Sequence, residues 1–323
     1  MTYRELLTEG ISYLRDKDIT ECENNAWILF EYVFDMKPHQ YFMKLNDSVT
    51  DDRAVVRFRE CIARRAEHIP VQYITGTQDF MGLTFKVNEN VLIPRQDTEI
   101  LVEKVLKVVG QMRSVPAREI DVLQSRQLTH EREKTVGDNA CNSHTCGNIR
   151  ILDMCTGSGC IAISVSRLGN VEATAVDISE EALKVAEENA KNLGADRVKF
   201  IQSDLFEKIK NNGVEQSQRY DIIVSNPPYI PTKVVDGLLP EVREHEPRLA
   251  LDGTDDGLEF YRRITEESVR YVKENGWLMY EIGCEQGEAV KKLMIDKGYE
   301  EVNIIKDLAG LDRVVAGIMK KSH

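Results

Sequence analysis

The spacing of apolar residues predicts helices in the first part of the chain. Apolar side chains recur at three- and four-residue intervals over 6–14, 29–34 and 55–62, which places them on one face of each helix. Thr20 and Glu23 have the spacing of a capping box at the start of the second helix. We therefore predict a small helical domain over residues 1–70.

The pattern changes after Pro70. The stretches VQYIT and LTFKV alternate apolar and polar residues, and the turn-prone pair Met81-Gly82 lies between them. This pattern predicts a β-hairpin linker over residues 71–92.

From residue 150 onward, short apolar strands alternate with helical segments, for example RILDM, EATAVD, VKFIQSD and YDIIVSNPP. Continuous apolar strands joined by helices are typical of a mostly parallel sheet covered on both faces. The sequence therefore predicts an α/β, Rossmann-like domain over residues 93–323. Because ligands bind at the carboxyl ends of parallel strands, we expect functional residues directly after the strands.

Residues 113–149 interrupt this domain with a polar segment that lacks sustained periodicity, which predicts a flexible insertion. The insertion contains Cys141, His144 and Cys146, whose close spacing offers three metal ligands without an evident fourth. An exposed loop without metal is the favoured interpretation.

Composition narrows the functional classes. The 323 residues include 42 Lys+Arg and 54 Asp+Glu, a net charge of −12, which argues against direct nucleic-acid binding. No uncharged apolar run reaches the length of a membrane-spanning helix, and the start of the chain does not resemble a signal peptide, so a cytoplasmic location without membrane contact is predicted. Seven scattered cysteines favour reduced thiols over a disulfide framework.

The first strand of the α/β domain runs into a small-residue loop immediately before a helix. Glycines allow such a loop to turn sharply and to approach a ligand, and the helix start offers unpaired N–H groups. A purely structural tight turn is the alternative. The loop residues are Cys155, Thr156, Gly157, Ser158 and Gly159.

Two acidic residues follow the next two strands. Asp177 lies near the spacing of about 20 residues at which a carboxylate meets a ribose diol in nucleotide-binding folds. Asp204 could accept a hydrogen bond from an adenine amino group while Leu205 packs on the base. Alternatively, both acids cap helices or turns.

The loop lacks the third glycine of a dinucleotide fingerprint, and S-adenosylmethionine, which carries a sulfonium methyl group and no phosphate, fits better. A nicotinamide-dependent dehydrogenase is therefore a remote alternative.

The fourth strand ends in Asn226, Pro227, Pro228 and Tyr229. The two prolines stiffen the backbone, so that the Asn226 side-chain oxygen and the Pro227 carbonyl form a fixed pair of acceptors. Such a pair suits a planar NH2 group, whose nitrogen needs positioning and charge stabilisation to accept a methyl group. Tyr229 can stack on the flat acceptor. A proline turn without chemical function is the alternative.

These motifs resemble the protein-(glutamine N5) methyltransferases of the HemK/PrmC family, which modify peptide chain release factors. The resemblance extends over nearly the whole chain and includes PVQYITG, VLIPRQDTE, EHEPRLALDGTDDGLEFYRRI, YEIGCEQG and DLAGLDRVV. It implies a seven-stranded methyltransferase fold with one reversed strand and an N-terminal domain that docks the release factor.

The resemblance also implies residue roles. The loop 155–159 would hold the methionine part of S-adenosylmethionine, Asp177 the ribose, and Asp204 with Leu205 the adenine. Asn226 would bridge cofactor and substrate, and residues 226–229 would hold the glutamine of the Gly-Gly-Gln motif in the release factor.

Three features depart from the family pattern: the residue at 155, the residues at 96 and 97, and the insertion. Cys155 replaces a usual glycine, so its backbone contact requires a dihedral that an ordinary residue adopts. Gln96 and Asp97 replace the usual proline and glutamate, and no role is assigned to 91–99. The insertion has no counterpart.

The alternatives that the sequence leaves open are methylation of a ribosomal-protein glutamine, methylation of adenine N6 in DNA, and a binding protein that retains the fold without turnover.

Overall fold

The computed structural model describes residues 1–114, 148–209 and 219–320. The insertion prediction and its cysteine–histidine group, Cys141, His144 and Cys146, fall largely on 115–147 and lie outside the described residues. All cysteines in the described ranges are free thiols, namely Cys22, Cys61, Cys155, Cys160 and Cys284. Among the described helices, none combines the length and apolar character needed to cross a membrane.

The N-terminal region is helical. Its helices pack around buried side chains that include Leu6, Leu29, Phe30 and Phe58. The helices are α1 (Tyr3–Arg15), α2 (Cys22–Phe34), α3 (Pro38–Lys44), α4 (Asp52–Ala66) and α5 (Val71–Thr75).

Two local predictions in this region are wrong. Helix α2 starts after Glu21 without a side-chain cap, whereas the capping box lies on α1, between Thr2 and Glu5. The stretch VQYIT is helical because Val71 and Ile74, three residues apart, both face the core of the N-terminal helices. Tertiary burial therefore overrides the alternating pattern of this segment.

The hairpin itself is present but shorter than predicted. Strands β1 (Thr77–Phe80) and β2 (Leu83–Lys86) pair antiparallel. The turn lies at Met81 and Gly82, as predicted, and both residues have positive φ, 52° and 72°. This conformation matches the tight turns that the twist of a hairpin favours.

The remainder of the chain forms a seven-stranded sheet of order β5-β4-β3-β6-β7-β9-β8. Strand β9 is antiparallel to both of its neighbours and the other pairs are parallel, so the predicted α/β fold with one reversed strand is confirmed. The strands are β3 (Arg150–Met154), β4 (Glu172–Asp177), β5 (Val198–Gln202), β6 (Tyr220–Ser225), β7 (Val272–Glu281), β8 (Tyr299–Lys306) and β9 (Asp312–Met319).

Helices cover both faces of this sheet. One core lies under α6 and α7 and the other under α12 and α13. From β3 the chain adds β4 and then β5 on one side of the sheet, and it returns to place β6 on the other side of β3. The strand order therefore reverses between β3 and β6. A ligand crevice is expected at this point of an open α/β sheet. The helices are α6 (Asp97–Ser114), α7 (Cys160–Gly169), α8 (Glu180–Asn192), α9 (Thr232–Val235), α10 (Pro240–Arg243), α11 (Arg248–Leu251), α12 (Glu259–Ser268) and α13 (Gly287–Asp296).

A buried arginine connects the N-terminal helices with the second region. Arg65 on α4 is 3% exposed, and its Nε donates to Asn25 Oδ1 at 2.8 Å. Its Nη2 donates to Glu241 Oε2 on α10 at 3.3 Å. Helix α10 is thereby tied to the N-terminal helices.

We predict that Arg65→Ala lowers the free energy of unfolding by about 3 kcal/mol, because it leaves buried polar partners unpaired. Urea denaturation followed by circular dichroism measures the change. The neighbouring Arg64 is exposed on the same helix, so Arg64→Ala is the matched control and should change stability little. Equal effects of the two substitutions would contradict a special role for Arg65.

Candidate active site

A cavity of about 190 Å³ opens at the carboxyl ends of the central strands. It collects residues that the sequence placed after four different strands, because parallel strands end at the same edge of a sheet. Seven of the predicted site residues line it: Cys155, Gly157, Asp177, Asp204, Leu205, Asn226 and Pro228. The described lining does not include Thr156, Ser158, Gly159, Pro227 or Tyr229.

Thr156 and Gly159 hold the loop in place without belonging to the described lining of the cavity. The Thr156 hydroxyl donates to Oδ2 of the fully buried Asp153 at 2.6 Å, and the backbone N–H of Ala162 donates to the same oxygen at 3.1 Å. Gly159 has φ +80°, and a Cβ there would lie 2.8 Å from Ile163 Cδ1. The loop is thus fixed to the start of α7, and no side chain fits at residue 159.

Asp177 connects this loop to the end of β4. Its Oδ2 accepts from Gly157 N at 2.8 Å and its Oδ1 from Ser179 N at 2.9 Å. Each carboxylate oxygen keeps a lone pair for a further donor, so a ribose diol can still bind here. At Gly157 nothing lies within 4 Å of an added Cβ, which leaves room for a ligand.

Cys155 does not meet the expectation of an ordinary dihedral. Its φ is +59°, in the left-handed region, where glycine is favoured and a side chain costs free energy. Burial, with the Asp177 and Asp153 carboxylates beside it, raises the pKa of the thiol, so Cys155 remains a neutral thiol. The backbone therefore keeps the glycine-like conformation despite the substitution.

Asp204 forms an ion pair with Arg263, a residue to which the sequence analysis assigned no role. Arg263 on α12 lines the cavity, and its Nη2 donates to Asp204 Oδ1 at 2.9 Å. Leu205 is 4% exposed and packs into the core under α12. Arg263 therefore fixes the direction of the Asp204 carboxylate at the cavity wall. Its position in the motif EFYRRI was visible in the sequence, but its partner was not.

The charge around the cavity fits S-adenosylmethionine. Three carboxylates, those of Asp153, Asp177 and Asp204, all raise the pKa of the Cys155 thiol. Asp177 lines the cavity without a cationic partner among the described residues, whereas Asp204 is paired with Arg263, so the charge of Asp177 favours a ligand with sulfonium and ammonium groups over the pyrophosphate of a dinucleotide.

The acceptor corner, defined as residues 226–229, is held by contacts from three directions. Asn226 Nδ2 donates to Thr98 Oγ1 at 3.4 Å. The Tyr229 carbonyl accepts from Gln286 Nε2 at 3.0 Å. A Cβ added at Gly253 would lie 2.7 Å from Tyr229 Cα, so the backbone there approaches as closely as a glycine permits.

Other lining residues come from segments to which the sequence assigned no role. The sequence motifs VLIPRQDTE and EHEPRLAL contain several of them, although nothing local to either motif pointed to a cavity. These residues are Asn90, Val91, Leu92, Ile178, Ser179, Ala182, Pro247, Leu249, Ala250 and Phe260.

Comparison with known proteins identifies the family. The PrmC N-terminal domain matches residues 5–76, and a methyltransferase domain matches residues 147–281. The release factor glutamine methyltransferase of Geobacter sulfurreducens is 35% identical over 98% of this chain and 96% of its own length. That of Moorella thermoacetica is 37% identical over 97% of each chain. This chain belongs to the release factor glutamine methyltransferase family.

The solved structures support the fold assignment of this family member. The hMettl16 catalytic domain, in complex with a 3′UTR hairpin, superimposes with a TM-score of 0.53 and covers 84% of each chain. Its identity to the chain is 14%, so the likeness concerns the fold alone.

In this glutamine methyltransferase, the left-handed backbone of Cys155 predicts how substitutions behave. We expect Cys155→Gly to keep stability within about 1 kcal/mol and to keep affinity for S-adenosylmethionine, because glycine adopts this φ without strain. Cys155→Val should lose about 1–2 kcal/mol and bind the cofactor more weakly, since a β-branched residue is disfavoured there. Thermal unfolding and titration calorimetry measure both properties.

The exposed Cys284 provides the control for this pair, because Cys284→Val changes the same side chain at a position without positive φ. If valine at 155 proved as stable as glycine, the strain at Cys155 would be refuted.

Proposed function

We propose that this chain transfers a methyl group from S-adenosylmethionine to the side-chain amide nitrogen, N5, of the glutamine in the Gly-Gly-Gln motif of peptide chain release factors. The observation that carries the proposal is the position of Asn226, which lines the same cavity as Gly157 and Asp177. Family membership supports the choice of release factors as the protein substrate, and the reaction then takes place in the cytoplasm.

The cofactor half of the cavity would work as follows. Loop 155–159 would bind the methionine part, Asp177 would accept from the ribose hydroxyls, and Asp204 with Leu205 would bind the adenine. When bound, S-adenosylmethionine supplies a methyl group activated by the sulfonium charge. Arg263 supports the adenine position by holding Asp204, and the negative field of the carboxylates supports binding of the cationic donor.

The acceptor half has to overcome a poor nucleophile, because the amide nitrogen of glutamine shares its lone pair with the carbonyl group. Asn226 Oδ1 and the Pro227 carbonyl would accept from the two amide protons and aim the nitrogen at the methyl group. As positive charge develops on the nitrogen, the same two oxygens stabilise it.

Tyr229 would pack its ring against the flat carboxamide. Burial raises the pKa of its phenol, so the ring stays neutral and leaves the negative charge of the site to the carboxylates. A strong base is not required, since a methylated amide cation is acidic enough to lose its proton to water.

The domain arrangement supports a large substrate. We propose residues 1–70, onto whose core α5 packs, as the domain that docks the release factor, the rest of 71–92 as the linker and 93–323 as the methyltransferase domain. Exposed Phe42 and Met43 on α3, at 70% and 75% exposure, offer apolar contact area on the N-terminal helices. The net charge of −12 argues against direct recognition of nucleic acid, and no membrane contact is proposed.

Mass spectrometry tests this function directly. Purified release factor is incubated with the enzyme and S-adenosylmethionine and then digested with trypsin. We expect the peptide that contains Gly-Gly-Gln to gain one methyl group, localised to the glutamine by fragmentation. Parallel reactions with ribosomes and with DNA test the other acceptors. A methyl group found only on a ribosomal protein or on adenine would contradict the proposal.

Asn226→Ala should leave the dissociation constant of S-adenosylmethionine within a few fold but reduce turnover on release factor about 100-fold or more, because one of two acceptors is lost at the transition state. Calorimetry and single-turnover methylation measure the two effects. Asn192→Ala, on the exposed end of α8, is the control and should keep full turnover. Near-normal turnover of the Asn226 variant would exclude the acceptor mechanism.

A further inference from the structure

The side chain of Asn226 has two ends of nearly equal shape and opposite hydrogen-bonding character. Its oxygen accepts, whereas its NH2 group donates. If the NH2 group faced the substrate amide, two donors would meet and the substrate would be repelled. The acceptor role of Asn226 therefore requires something behind it that fixes the orientation of its carboxamide.

Thr98 contacts the Asn226 carboxamide and does not belong to the described lining of the cavity. It belongs to the first turn of α6 and is 2% exposed, and its Oγ1 accepts from Asn226 Nδ2 at 3.4 Å. A hydroxyl has one proton, so the direction in which Thr98 donates decides whether its oxygen is available to Asn226.

Glu281 ends the neighbouring strand β7 and also lies outside the described lining of the cavity. In the parallel pairing of β6 and β7, Ser225 is opposite Tyr280, which brings the next residues, Asn226 and Glu281, side by side. Glu281 is 2% exposed, and its Oε2 has no hydrogen-bond partner among the described residues. A buried carboxyl group without a full set of partners costs free energy, so its retention at this place calls for an explanation.

The groups around Glu281 determine its charge. Burial raises its pKa to about 7, while the Thr98 and Asn226 side chains and the Arg313 guanidinium lower it and Asp97 raises it. Above this pKa Glu281 is a carboxylate, which only accepts hydrogen bonds. The other titratable groups that interact with it are Tyr229, Tyr261 and Cys160.

We propose that Glu281 and Thr98 orient the carboxamide of Asn226, so that its Nδ2 points to Thr98 and its Oδ1 faces the methyl acceptor. The carboxylate of Glu281 accepts the proton of the Thr98 hydroxyl. The Thr98 oxygen then has only lone pairs to offer to Asn226, and it accepts from Nδ2. Asn226 Nδ2 then donates toward Thr98 and Glu281, and Thr98 donates toward Glu281, which leaves Oδ1 free for the substrate.

Thr98 and Glu281 are positioning residues, because neither belongs to the described lining of the cavity and both act through Asn226. The inference rests on the proposed function, since it assumes an NH2 group as methyl acceptor. It assigns a role to one residue of each of the motifs VLIPRQDTE and YEIGCEQG, which the sequence left without one.

The first test compares Thr98→Val with Thr98→Ser at about pH 8.5, where Glu281 is ionised. We expect Thr98→Val to reduce the turnover number about 10-fold or more at saturating release factor, because the carboxamide is free to turn. The Michaelis constant and the affinity for S-adenosylmethionine should change less than threefold. Thr98→Ser keeps the hydroxyl and should recover most of the turnover.

Thr265 provides a matched control. It is 1% exposed on α12, and its hydroxyl is hydrogen-bonded to Tyr280 Oη at 2.8 Å, so Thr265→Val also removes a buried hydroxyl group. Its loss should lower the melting temperature but leave turnover within about twofold of the wild type. The comparison separates the loss of orientation from the loss of a buried hydrogen bond.

Glu281→Gln gives a second signature, because glutamine fills the same space but can donate as well as accept. Turnover should fall about fivefold or more, while the melting temperature at pH 8.5 stays unchanged or rises. The melting temperature is expected not to fall because burial raises the pKa of Glu281 in the folded state to about 7. Wild-type stability from this group is therefore lost as the pH rises from the unfolded pKa toward 7. Glutamine stays neutral and avoids this loss.

Two outcomes would overturn the inference: near-wild-type turnover of Thr98→Val, or Thr98→Ser as slow as Thr98→Val. A fall in the melting temperature of Glu281→Gln that matches its loss of turnover would also count against it. The proposed function fails separately, if the wild-type enzyme leaves the release factor unmethylated in the same assay.

Discussion

The parallel pairing of β3 with β6 places Met154 directly beside Ser225, and the Ser225 hydroxyl donates to the Met154 carbonyl at 2.7 Å. One strand continues into loop 155–159 and the other into residues 226–229, so under the proposed function this pairing would set the distance between methyl donor and methyl acceptor. Group transfer in line tolerates little displacement of the reacting atoms. The rest of the fold can be understood as support for this one junction.

Backbone strain and buried carboxyl groups also occur at the site itself. Cys155 and Leu205 adopt positive φ without being glycines, and Asp153 and Glu281 each bury a carboxyl oxygen without a partner. Positive φ at non-glycine residues also occurs away from the cavity, for example at Met81 and Asn170, but around the cavity it coincides with two buried carboxyl groups.

The wall of the cavity is anchored from a distance. Glu246 is 5% exposed and accepts from the Ile93 N–H and from the Arg95 guanidinium. Because Pro247 follows Glu246 directly, this contact fixes the segment that closes one side of the cavity. Arg65 adds a connection from that region to the N-terminal helices through Glu241 on α10.

The sequence alone determined the features that depend on neighbours along the chain: the apolar strands, the glycine loop before α7, the turn at Met81-Gly82, and the chemistry at each strand end. Prediction from the sequence failed where contacts between distant segments decide the local structure or the partner of a side chain. The stretch VQYIT is helical because Val71 and Ile74 meet the N-terminal core, and Asp204 forms an ion pair with Arg263 across 59 residues. Only the tertiary structure showed that Thr156 and Gly159 hold the loop in place and that Thr98 and Glu281 lie next to Asn226. The physical reason is that local propensity acts within a few residues, whereas burial, charge pairing and hydrogen-bond direction are set by whichever distant segments the fold brings together.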